Sequence, residues 1–100
     1  MTSNNSEALD KEIEQELANS EKLKIYGEQV KKMSKQELQA ELVKLAEDLT
    51  DEEDEMRLMI GQTGVHINAT RIAAFRESFA REMARIKEKQ RMINEAIDAL

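Results

Sequence analysis

A chain of 100 residues with 36% charged side chains, three aromatics and no Pro, Cys or Trp has room for one domain with a thin aliphatic core, and it excludes disulfides and thiolate metal sites. The formal net charge of −6 is unevenly divided: sixteen acidic and seven basic residues run through Met56, five acidic and eight basic follow from Arg57, and all six Arg lie in the second part. No run approaches the roughly 20 apolar residues of a membrane span, and Met1-Thr2-Ser3-Asn4-Asn5-Ser6 has neither the basic nor the apolar stretch of a targeting signal, so a cytoplasmic protein is expected.

In chain order, residues 1–6 are polar and expected to fray, and residues 7–100 are expected to form one all-helical domain with helices over about 7–32, 35–60 and 69–98. Ser6 is the expected N-cap of the first, whose stripe of Leu9, Ile13 and Leu17 steps by four. Asn19-Ser20 breaks that period before Leu23, Tyr26, Val30 and Met33 resume it, a slip that predicts a bend or a short separate piece. Gly27 costs a helix about 1 kcal/mol relative to Ala; either another backbone comes close to it or it is merely tolerated.

Ser34 with Glu37 three places on is a capping box that restarts the chain after Met33. The second helix carries Leu38, Leu42, Leu45, Leu49, Met56 and Ile60 inward. Seven of the nine residues from Glu47 to Glu55 are acidic, with Glu52 or Glu53 where the stripe needs an apolar residue, so the core is expected to thin there. A solvated face or a docking surface for a basic partner would each use such a run, whereas a calcium loop would need a Gly-centred turn that is missing.

Gly61-Gln62-Thr63-Gly64-Val65-His66-Ile67 predicts a helix stop and a reversal, and Asn68 a new N-cap. The last helix carries Ile72, Phe75, Phe79, Met83, Ile86, Ile93, Ile97 and Leu100 at helical spacing. Laid antiparallel on the second helix, it is expected to bring Arg71, Arg76 and Arg81 near the acidic run. The expected fold is therefore all-α, an antiparallel helical hairpin or three-helix arrangement. Dimerisation into a helical bundle is expected as well, because so small a core leaves a lone domain marginal.

Catalysis is not expected. His66 is the one His, it has no Cys or second imidazole beside it, and Gly61-x-x-Gly64 is too short for a phosphate loop and has no Lys after it. No cofactor or metal is expected either. The apolar stripes need something to press against, whether in the same chain, a twin subunit or another protein. Tyr26, Val30, Met33, Leu38, Leu42, Leu45 and Leu49 are the candidate partner or dimer interface. Arg71, Arg76, Arg81 and Arg85 are the candidate face for a polyanion or an acidic partner, although an acidic chain repels phosphate at long range.

Two resemblances give these expectations names. Tyr26, Gln29-Val30, Met33-Ser34 and Leu42-Val43-Lys44-Leu45 stand at offsets like those of NblA-type phycobilisome-degradation proteins, which residues 21–49 resemble. That resemblance implies a helical hairpin that dimerises and acts as an adaptor, delivering phycobiliproteins to proteolysis, with Tyr26, Val30, Leu42 and Leu45 packing and Ser34 as the cap. Thr63-Gly64, Asn68, Arg71-Ile72, Arg76 and Ala84-Arg85-Ile86-Lys87 give residues 34–87 a weaker resemblance to ribosomal protein L29. It implies instead an RNA-associated hairpin with Arg71, Arg76, Arg81 and Arg85 on phosphates.

Overall fold

The computed structural model describes residues 4–63 and 69–100. It is all-α, but with four packed helices where a hairpin or three-helix arrangement was expected: α1 (Asn4–Asn19), α2 (Glu21–Val30), α3 (Lys35–Thr63) and α4 (Ala69–Asp98). The three main pairings are α1, α2 and α3 each against α4, within an elongated body of 49 × 27 × 22 Å.

The expected helix over 7–32 is divided at Ser20. Its backbone leaves the helix at φ −73°, ψ 117°, and its Oγ accepts from the Leu23 amide at 3.3 Å. The Ser20 amide closes a tight turn onto the Leu17 carbonyl, so α1 stops and α2 starts on one residue. A hydroxyl that caps locally competes with the helical ladder, and this wins over the absence of Pro or Gly. At its other end α1 begins at Asn4, which places Ser6 inside the helix and not before it.

The restart at Ser34 is as the capping box predicts. The Ser34 amide donates to Glu37 Oε1 at 2.9 Å and the Glu37 amide donates to Ser34 Oγ at 3.2 Å. The Ser34 amide bonded to the ionised carboxylate, with the Ser34 hydroxyl next, holds the Glu37 pKa below its ordinary value. α3 does not stop before Gly61 but runs through it to Thr63; Gly61 has no positive φ and nothing near its missing Cβ. Gly64, Val65, His66, Ile67 and the Asn68 cap lie outside the described residues.

α3 and α4 run antiparallel and meet in steps of seven. Val30, Leu38, Leu45, Ile86 and Ile93 form one buried cluster, with Leu38 at 1% and Ile93 at 0% exposure. Leu38 and Leu45 on α3 therefore descend as Ile93 and Ile86 descend on α4. The same steps put Glu52 and Phe79 in the next layer, and beyond Leu45 no described residue of α3 is buried. This is the expected thinning. The Glu52 pKa is raised, first by desolvation and then by Glu55 and Glu82 of the facing helix.

α1 and α2 lie along α4 in the parallel sense, since Glu12 and Glu16 meet Arg81, Tyr26 lies under Lys89 and Gly27 lies beside Met92. No backbone approaches Gly27: an added Cβ would sit 3.9 Å from Met92 Sδ, an ordinary contact. Gly27→Ala is accordingly expected to stabilise the chain by about 1 kcal/mol, read as a higher urea midpoint with unchanged slope. A lower midpoint would show that the α2–α4 seam is tighter than this geometry.

Candidate functional site

The seven residues expected at a partner interface are brought together, and what they face is α4. Val30, Leu38 and Leu45 are buried in the main cluster, and Tyr26, Met33, Leu42 and Leu49 pack against it. Tyr26 also ties three helices together: its hydroxyl donates to Glu41 of α3 at 3.1 Å and its ring lies 5.0 Å from Lys89 Nζ of α4. Partial burial, with the Glu41 carboxylate next, pushes its pKa up. Val30, Leu38 and Leu45 are thus covered within the chain, whereas Tyr26, Met33, Leu42 and Leu49 keep part of their surface exposed.

The four Arg separate in a similar way. Arg81 meets α1, not the acidic run: its guanidinium lies 3.4 Å from Glu12 and 3.0 Å from Glu16, with Glu77 of its own helix at 3.4 Å. Glu12 and Glu16 are four apart on α1, a like-charge pair that costs a helix stability unless a cation stands between them. That spacing is the signal by which the α1–α4 contact could have been found. Arg85 is paired with Glu82 at 2.6 Å, and Arg71, Arg76 and Arg85 are all exposed along α4. The four do not form one face for phosphates.

The structure also shows a groove that sequence reasoning missed. Ile13 and Phe79 are buried, but towards the N-termini of α1 and α4 the seam opens into a cleft of about 730 Å³. Ala8, Leu9 and Glu12 form one wall, and Ala69, Ile72, Ala73, Arg76 and Glu77 the other. The physical cause is side-chain size. Where the buried levels have Ile and Phe, this level offers Ala8, Ala69 and Ala73, which cannot fill the distance between two helix axes, so Leu9 and Ile72 stay half-exposed.

Charge is sorted by end of the molecule. The groove end comprises residues 7–16 of α1, 47–60 of α3 and 69–79 of α4, and carries thirteen acidic and four basic residues. The remainder carries eight acidic and eleven basic residues, many neutralised along α4 by pairs such as Arg91 with Glu88 at 2.7 Å. One end is thus net −9 and the other net +3.

Among the described residues no group of three or more His, Cys, Asp and Glu is arranged to hold a metal ion, and no helix is long and apolar enough to cross a membrane. No family model, no curated protein and no solved structure matches the chain.

Proposed function

We propose that this chain is a non-catalytic helical adaptor that binds a protein partner through the groove between α1 and α4. The observation that carries this reading is the unfilled seam itself: two helices held in register at Ile13 and Arg81 leave Leu9 and Ile72 half-exposed beside exposed Ala8, Ala69 and Ala73. Apolar surface in a concave site with a few charged groups on its rim is what a helix or peptide needs for docking. An adaptor in the turnover of photosynthetic pigment proteins is the specific form suggested by the resemblance of residues 21–49. Those residues pack the chain's own core, however, so the groove and not that motif supports the adaptor reading.

The test is recovery of a partner from lysate of the source cells on immobilised protein, with Ala73→Arg as comparison. Ala73 is exposed on the α4 wall of the groove, so Arg there fills the cleft without disturbing the core. A protein retained by the original chain and lost with Ala73→Arg is the expected result. Equal recovery on both surfaces would move the binding site elsewhere.

A further inference from the structure

We infer that the occupant of the α1–α4 groove is a basic amphipathic helix, that is, a segment with a short apolar stripe flanked by Lys or Arg. This inference rests on the adaptor reading and adds the chemistry of the partner.

Length comes first. The α4 wall spans Ala69 to Glu77, about 12 Å of helix at 1.5 Å per residue, which is enough for two turns of a guest. Two turns present apolar anchors at positions i, i+3 or i+4, and i+7, and Leu9 and Ile72 are the half-exposed apolar side chains to receive them. The Ala residues of the two walls let a guest backbone come close, as small residues do wherever helices meet tightly.

The second consideration is charge. The groove lies at the end with net −9 by those ranges, or −8 with Arg81, which reaches Glu12 and Glu16 from α4. Its α1 wall belongs to a helix whose described side chains include Glu7, Asp10, Glu12, Glu14 and Glu16 against Lys11, and Arg76 is the cation on the α4 wall. On the far side of α4 stands the run Glu47 to Glu55, whose ion pair among the described residues is the local one of Asp54 with Arg57 at 3.5 Å. Concentrated charge of one sign raises the encounter rate with the opposite sign and disfavours like-charged partners. An acidic helix or a nucleic acid would meet that field unfavourably. A second copy would bring either another acidic end or the weaker net +3 end.

Fluorescence anisotropy on the full chain tests this with three synthetic 18-residue peptides. One is an amphipathic Lys/Leu helix, one its Glu/Leu counterpart, and one a Lys/Ser peptide of equal charge without an apolar stripe. The expected result is binding of the Lys/Leu helix at least tenfold tighter than either control. That binding should weaken severalfold between low and physiological salt. It should fall at least tenfold with Ala73→Arg and remain unchanged with Ile25→Arg, a substitution on the exposed surface of α2 at the other end.

Tighter binding of the Glu/Leu helix would overturn the basic partner and leave the adaptor reading standing. Equal binding of the two Lys peptides would reduce the effect to non-specific charge attraction and overturn the groove as its seat. Absence of binding, with sedimentation showing a dimer that Ala73→Arg dissociates, would assign the groove to a second copy and overturn the inference. Absence of binding by a monomer would overturn it as well, and the lysate experiment would then decide the adaptor reading separately.

Discussion

Ile93→Ala is expected to lower stability by about 2 to 5 kcal/mol, a large share of a margin on the order of 5 to 15 kcal/mol. Ile93 has 0% exposure and belongs to the one cluster shared by α2, α3 and α4. Truncation loses its transfer energy and also leaves a cavity that three helices cannot collapse into together. Chemical denaturation followed by circular dichroism should show the midpoint fall sharply, whereas Val43→Ala, at a side chain 60% exposed, should stay within about 0.5 kcal/mol. Equal effects at the two positions would mean that the α3–α4 seam is not the main core.

Glu52→Leu is expected to act in the opposite direction. Glu52 stands at the heptad step after Leu38 and Leu45, in the layer of Phe79, with Glu55 and Glu82 as its charged neighbours. A Leu there extends the seam by one layer, worth about 1 to 2 kcal/mol for partial burial, or roughly 4 to 8 °C in Tm per kcal/mol for a domain of this size.

The pH dependence has a definite sign. Because the folded pKa of Glu52 is raised, the folded state binds more protons than the unfolded state between the two values. Its contribution to stability therefore falls as pH rises through that window. Glu37 and Glu88 have lowered folded pKa values, so their contributions are present above the unfolded carboxylate range and are lost as pH falls through the folded values. Glu52→Gln should remove the first effect and keep the second, giving a thermal midpoint that declines less between mildly acidic and neutral pH. A decline as steep as that of the original chain would place the responsible carboxyl elsewhere.

How much of this was legible from sequence depends on whether the signal was local. The box at Ser34 and Glu37 is settled by residues three apart, and the structure has both of its hydrogen bonds. The thinning near Glu52 was legible for a similar reason, since a heptad step counts only along its own helix. The division at Ser20 left its phase slip in the text, but whether a Ser caps or bends depends on what the next segment packs against. Gly61 misled because a Gly ends a helix only when it takes a positive φ, and here α3 continues through it. The groove was illegible for a deeper reason. Ala8, Ala69 and Ala73 read as harmless helix formers until α1 is known to lie parallel to α4, and that follows from contacts more than 60 residues apart, such as Arg81 with Glu16.

Every main pairing includes α4, and α4 is the last of the four helices to be synthesised. While a ribosome makes residues 4–63, α2 and α3 can meet at Val30, Leu38 and the Tyr26–Glu41 bond, but the apolar flanks that α4 covers emerge bare, in the exposed state that chaperones recognise. Assembly waits for residues 69–98, and then one long rod gathers the other three at once. Birth order thus leaves the core of this chain to be closed by its last helix.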